Sequence, residues 1–542
     1  MFCSSAGTKR VLLVSCLFFF AVTTAWGADY QFGVDLPKPA DDPTLSGTTH
    51  AFLWVPPHCE HLRAVVLAPA NIIEREFCDD PQIRSMAEHE GVALLFFQSA
   101  VSKQMPDEGF PHYVQTMLDH LADVSGIAEL RTIPWIPVGH SGNSQFVAKV
   151  ARYAADRVVC TVVIKGALQQ PAEDGSTVGL DMPMLLFHGE YEEISAKIIR
   201  NQWWDDALMH MAKLRAAVPH ALVCGVLDRS FGHLWWSPEL SAFTVSFIQD
   251  SLSARLPDGA ASSTARPPLR AIAWNSGWLV DQAEAFPSAP VDQYKGDPAK
   301  AFWVFDEAMA KEWKRLFDRD RGKKDQLLAF VQDGRIAPSW NGWGVQALDF
   351  EPESDGESFK VKAVFRDSIP APIPGAGTPL GHADPSGIYY KVVGWAGQTA
   401  QTGPDTFAVR FDREGVNGRT THIVIGAIDP GDNTYRATMV AASMTVPGAN
   451  SGAKQTISFP QPPDVPASTA TFPLKATVDS SLPVRYYVSW GPAEVEGDSL
   501  RIVDVPDHAA FPIGVKVTAY QWGKAGVFAT AASVVRTFHI TK

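Results

Sequence analysis

Cysteine is scarce in this chain, with six in 542 residues, and no C-x-x-C pair or H-E-x-x-H spacing occurs. The sequence therefore nominates no metal site and no cofactor. Basic runs are missing, and the formal net charge is -13. An acidic chain without a basic stripe offers nothing to a phosphate backbone, so no nucleic-acid partner is expected. Charged residues make up only 19% and hydrophobic ones 46%, which excludes a disordered chain. Long apolar runs are also absent beyond the first residues, so no stable membrane span is expected.

The one apolar run that stands out is Val11 to Val22, "VLLVSCLFFFAV". Lys9 and Arg10 precede it, and Ala25-Trp26-Gly27 supply small residues before Ala28. This is the pattern of a signal peptide over residues 1–27, too short for an ordinary span. Export to the periplasm or beyond is the expectation. Four cysteines would then remain: Cys59, Cys78, Cys160 and Cys224. Cys160 and Cys224 sit in apolar strand-like runs and read as buried thiols. A Cys59–Cys78 disulfide is left open.

A chain this long exceeds one ordinary core, and its pattern divides. From 28 to 255, short continuous apolar runs such as "RAVVLAPA", "GVALLFFQSA" and "PMLLFHGE" alternate with helical stretches. That alternation indicates an α/β fold with a mainly parallel sheet buried on both faces. "YQFGVDLP" and "HAFLWVPP" read as an opening antiparallel pair. Residues 256–269, rich in Pro, Gly, Ser and Ala, read as a linker. Beyond it, 270–446 begins with a helix expected from Asp297-Pro298 and a second one in "KKDQLLAFVQDG", then turns β-rich. Its helical part could cover a pocket or merely link. Residues 455–542 alternate short strands with Pro/Gly turns, as an antiparallel sandwich does.

The chemistry centres on "PWIPVGHSGNSQF", Pro134 to Phe146. Ser141 follows a strand-like run and precedes a helical one. In a strand–turn–helix context, small flanking residues let strand and helix approach and lift the serine hydroxyl clear of the sheet. Gly139 and Gly142 meet that need, and the Gly142 N–H would face a developing oxyanion. Two features depart from the G-x-S-x-G pattern. Asn143 stands at the last glycine, which predicts looser packing on the helix, and Pro134 and Pro137 interrupt a central strand. The strand is expected to begin near Ile136. A nucleophilic serine needs a base and an orienting acid. "LLFHGEYEE" ends a strand with three carboxylates, Glu190, Glu192 and Glu193, and "DRSFGHLWWSPE" places His233 between a strand and a helix.

The order Ser, Glu, His at successive strand ends resembles the α/β-hydrolase family over roughly residues 30–253. The resemblance implies Ser141 as nucleophile, His233 as base and Glu192 as acid, with Glu193 and Glu190 as rivals. Oxyanion donors would be the N–H of Gly142 and that of Ala70 or Asn71, with the Asn71 amide able to help; the lipase-like HGGG is absent. His140 and His188 read as packing or hydrogen-bonding residues. Trp235, Trp236 and Trp203, with Trp204, lie near the expected pocket mouth. They fit either core packing or an aromatic wall that stacks on a sugar or an aromatic acyl group. Phrases in the last ninety residues, such as "LPVRYYV" and "VTAYQ", resemble the immunoglobulin-like modules of bacterial exported proteins. Together these readings point to an exported serine hydrolase acting on a carboxylic ester, with a carbohydrate-linked ester as the finer guess. A serine peptidase of the same fold and an inert surface-binding protein are the rivals. The sequence leaves the oligomeric state open.

Overall fold

The structure is a computed structural model. It describes residues 28–37, 48–98, 109–191, 202–257, 265–339, 344–371, 373, 375–394, 399–413, 421–446 and 450–542. The expected leader, Glu192 and Glu193 lie outside these residues.

The α/β portion holds eight strands: β1 Phe32–Pro37, β2 Thr48–Trp54, β3 Ala64–Pro69, β4 Val92–Phe97, β5 Trp135–His140, β6 Thr161–Ile164, β7 Met184–Gly189 and β8 Val223–Asp228. They form one sheet in the order β1-β2-β4-β3-β5-β6-β7-β8. β1 pairs antiparallel with β2, and β2 antiparallel with β4. From β4 to β8 every neighbour is parallel. All residues of β3 to β8 are buried, because helices cover both faces. β1 alternates buried and open positions, as a strand at a sheet edge does. The fold class is α/β with a mainly parallel sheet, followed by all-β modules.

The covering helices are α1 Glu74–Asp79, α2 Pro81–Glu90, α3 Gly109–Ser125, α4 Ser144–Tyr153, α5 Gln202–Ala217 and α6 Pro238–Arg255. Asp80 caps α2 through the N–H groups of Gln82 and Ile83 at 2.8 and 3.3 Å. The same carboxylate accepts from Trp236 Nε1 at 2.9 Å and Ser241 Oγ at 2.7 Å, tying α2 to α6.

Pro137 lies inside β5, which starts at Trp135 rather than Ile136. The strand tolerates it because pairing to the β6 side is irregular there. Trp135 faces Val158 and Val138 faces Val162, so one extra residue bulges opposite Pro137.

The region after the linker departs from its expected helices. Asp297 caps only a turn, Phe302–Val304 is a strand, and the helix α7 spans Glu307–Asp318 with Asp306 as its cap. α7 packs on β8, where Trp313 Nε1 donates to the Gly225 carbonyl at 2.6 Å. It extends the α/β core along the sheet edge and does not form a lid. "KKDQLLAFVQDG" is no helix: Leu328–Gln332 pairs antiparallel with Arg335–Ile336 and Ala363–Phe365. Asp333 and Gly334 both take positive φ, 51° and 71°, the turn that joins two adjacent strands most tightly.

Beyond this hairpin the middle module builds a four-stranded sheet from Gln346–Leu348, Thr438–Val446, Thr421–Asp429 and Tyr389–Val392. The C-terminal module sets a four-stranded sheet (Val465–Pro466, Val534–Thr541, Ile513–Tyr520, Arg485–Trp490) beside a three-stranded one (Thr471–Pro473, Ser499–Ile502, Ala493–Glu496). Phe472 meets Phe538 edge-on at 5.1 Å between them. This module docks on β1 and β2: the Gly491 N–H donates to the Tyr30 carbonyl at 2.9 Å, and Trp490 lies 6.1 Å from Phe52. Cys59, Cys78, Cys160 and Cys224 are all free thiols. The Cys59–Cys78 bridge left open by the sequence is not formed. Cys78 is buried inside α1, and Cys59 Sγ donates to the His61 carbonyl at 3.0 Å.

Candidate active site

Ser141 sits directly after β5 with φ 52°, a left-handed backbone that side-chain-bearing residues rarely adopt. One 3-10 turn, Ser141–Asn143, separates it from α4. A side chain at Gly139 would strike the Asn143 carbonyl and come within 2.8 Å of Val147 Cγ2. Strand and helix therefore meet as closely as a nucleophile turn requires, and the looser packing expected at Asn143 is not found.

Asn143 explains itself through its side chain. Its amide donates to the Pro69 carbonyl and to Glu74 Oε1, both at 2.8 Å. Glu74 Oε1 also accepts the His140 N–H at 2.7 Å, and Oε2 accepts the Ile72 N–H at 3.1 Å. A single fully buried carboxylate thus joins the serine turn to the loop after β3. Burial pushes the Glu74 carboxyl up to about 7, and the N–H donors pull back against that rise. Neither Glu74 nor this role for Asn143 was legible in the sequence.

The loop after β3 carries the second expected oxyanion donor. The Ala70 N–H is committed to the Phe97 carbonyl at 2.7 Å. The Asn71 amide donates to the His140 carbonyl at 3.0 Å, so it braces the turn. Between the two residues, the Asn71 main-chain N–H keeps the candidacy beside that of Gly142.

His233 follows β8 and is 2% exposed. Its main-chain carbonyl accepts a hydrogen bond from His140 Nε2 at 3.0 Å, and the two rings lie 4.5 Å apart. Burial, and then the neighbouring His233, hold His140 well below the usual histidine value, so it stays neutral with its proton on Nε2. His188, at the end of β7, is likewise pushed down to about 3 by burial. His140 is a hydrogen-bonding residue, and His188 packs edge-on against Trp204 at 6.3 Å.

Lys165 was not anticipated. It directly follows β6 with φ 51° and is 1% exposed. Its ammonium donates to Asp228 Oδ2 at 2.8 Å, to the Trp235 carbonyl at 2.7 Å and to the Gly232 carbonyl. Asp228 Oδ1 accepts from Arg319 at 2.5 Å. The loop carrying His233 is therefore pinned on both sides of the histidine. A lysine closing an apolar run, "TVVIKG", was the signal available in the sequence.

Glu190 is engaged elsewhere. Its carboxylate accepts the Ser230 N–H at 2.9 Å and pairs with Arg436, with Arg229 at 3.6 Å. These contacts hold the Glu190 carboxylate toward Arg436. Trp236 is core: 2% exposed, on Asp80 and edge-on to Phe187 at 6.2 Å. Trp235 is 4% exposed, stacked on Phe231 at 4.9 Å and capped by Lys391 at 5.1 Å. Trp204 is buried against Phe302 at 5.5 Å. Of the two readings of Trp235 and Trp236, their burial supports core packing. The Trp203 side chain lies outside the described residues.

The middle module roofs these strand ends. Gly394 takes φ 62°, and a side chain there would collide with Ile72 and lie 4.0 Å from Leu234, next to His233. Lys391 pairs with Glu76, and Arg75 with Asp412. A cleft of about 460 Å³ opens where Asn71 and Ile72 face Lys391, Gly394 and Arg410.

No family model matches the chain, and no curated protein matches it. Solved structures similar to it include the LpqC poly(3-hydroxybutyrate) depolymerase from Bordetella parapertussis. That likeness has a TM-score of 0.30 and 13% identity over 43% of this chain and 92% of that one. Poly(aspartic acid) hydrolase-1 from Sphingomonas sp. KT-1 gives 0.30 and 10% over 41% and 99%. Est1E from Butyrivibrio proteoclasticus gives 0.26 and 13% over 41% and 99%.

Proposed function

We propose that the chain is an exported serine hydrolase that cleaves a carboxylic ester. Ser141 Oγ attacks the ester carbonyl while His233 takes its proton. Glu192, two residues beyond Glu190, orients His233, with Glu193 as its nearest rival. The N–H groups of Gly142 and Asn71 receive the negative charge on the carbonyl oxygen. His233 then returns the proton to the departing alcohol, and water attacks the acyl-enzyme with His233 again as base. The C-terminal sandwich is an immunoglobulin-like module, and a carbohydrate-linked ester suits an exported chain of this build.

The observation that carries this reading is the left-handed Ser141 at the junction of β5 and α4. Such a backbone is costly for serine and is retained where the hydroxyl has to stand clear of the sheet. A fluorophosphonate probe tests it. The intact chain should be labelled and Ser141→Ala should not. Equal labelling of both would sink the reading. A panel of acyl esters and peptides separates esterase from peptidase, with ester turnover expected and peptide-only turnover against it.

A further inference from the structure

A second cavity, of about 370 Å³, lies between the loop that carries His233 and the middle module. Tyr191 and Gly232 form its α/β wall. Leu328, Ile369, Leu380 and Met439 give the opposite wall an apolar surface, and Arg366 stands among them. Two other charged residues line the space, and both have partners. Arg436 pairs with Glu190 and sits 3.3 Å from Asp325.

Arg366 is different. Its main-chain N–H donates to the Leu327 carbonyl, but its guanidinium forms no ion pair with any described residue. Burial alone acts on that group, lowering its proton affinity, and no carboxylate offsets the loss. A half-buried arginine without a counter-charge beside apolar side chains is free to accept an anion. Guanidinium presents a planar fork that fits a carboxylate with two parallel hydrogen bonds. An apolar wall with one unpaired charged group is what a binding site for an amphipathic molecule looks like.

We propose that this cavity binds an amphipathic carboxylate, its apolar chain along Leu328, Ile369 and Met439 and its carboxylate on Arg366. Resting on the esterase reading above, the cavity assigns the substrate class: an ester whose apolar portion ends in a negative charge. Gly232, the residue before His233, lies on the wall, and a neutral substrate of equal length gains nothing from Arg366.

Binding and turnover are measured separately. Ser141→Ala is titrated with octanoate and with 1-octanol by calorimetry. Octanoate should bind at least tenfold more tightly. Arg366→Ala should remove that preference without changing octanol binding, and Arg366→Lys should restore part of it. Equal binding of the two ligands, or an unchanged octanoate affinity in Arg366→Ala, overturns the proposal. For turnover, the mono-p-nitrophenyl ester of suberic acid is compared with p-nitrophenyl octanoate. The intact chain should favour the anionic ester, and Arg366→Ala should lose that preference. A chain that binds octanoate through Arg366 but turns over neither ester would overturn the esterase reading and leave the site standing.

Discussion

His140 donates its Nε2 proton to the main-chain carbonyl of His233 at 3.0 Å. The residue before the candidate nucleophile thus holds the backbone of the candidate base. Strand ends β5 and β8 are not neighbours in the sheet, and this contact sets their separation directly.

His140→Ala should therefore lower kcat more than it raises KM. One lost hydrogen bond of about 1–1.5 kcal/mol corresponds to roughly a tenfold fall in rate. Steady-state kinetics on a p-nitrophenyl ester measures it. A change confined to KM would mean that the contact does not position His233.

Lys165→Met leaves Asp228 buried with Arg319 as its remaining charged partner. Removing one member of a buried pair costs on the order of 3–5 kcal/mol. Urea unfolding should show that loss, and activity should fall as the Gly232 and Trp235 carbonyls lose their donor. A loss below about 1 kcal/mol would place Lys165 outside the scaffold of the loop.

Glu74 gives a stability signature in pH. Its carboxyl stands at about 7 in the folded chain against 4.5 for the free group. Between those values the folded chain holds a proton that the unfolded chain has lost, so Glu74 destabilises the fold as pH rises from 4.5 to 7. The full effect is of the order of 3 kcal/mol. His140 and His188, both lowered from 6.5, act in the opposite sense. There the unfolded chain holds the extra proton, and stability falls as pH drops below 6.5. In the intact chain the two trends oppose each other. Glu74→Gln removes one of them, so unfolding midpoints between pH 4.5 and 7 should rise more steeply with pH in the variant. Parallel profiles would show that Glu74 does not titrate there.

Glu192→Gln should cost more activity than Glu193→Gln, on the order of a hundredfold or more in kcat, as removing an orienting acid does. The reverse ranking would move the acid by one position.

Much of the α/β portion was legible because its strands are continuous apolar runs bounded by caps and turns. Asp80-Pro81 announced α2, and the placement of Ser141 and His233 at strand ends followed from the same punctuation. The buried polar contacts were not legible. Nothing local in "NIIEREF" says that Glu74 reaches across to His140 and Asn143, because the partners lie 66 and 69 positions away. The helix expected in "KKDQLLAFVQDG" failed because apolar spacing was weighed above the Asp333-Gly334 turn. Trp235 and Trp236 were drawn toward the pocket by proximity to His233, but Asp80 and Lys391 hold them inward.

Gly394 has a consequence for how this chain can be handled and how it could have arisen. Ile72 and Leu234 are shielded from water by a segment more than 120 residues past the linker. Asp228 and Glu190 likewise draw counter-charges, Arg319 and Arg436, from beyond it. A fragment ending at the linker would expose both apolar residues and strip two carboxylates of these cations. The 256–269 stretch looks like a place to cut, yet the halves on either side have become mutually dependent and would have to be inherited, expressed and redesigned as one piece.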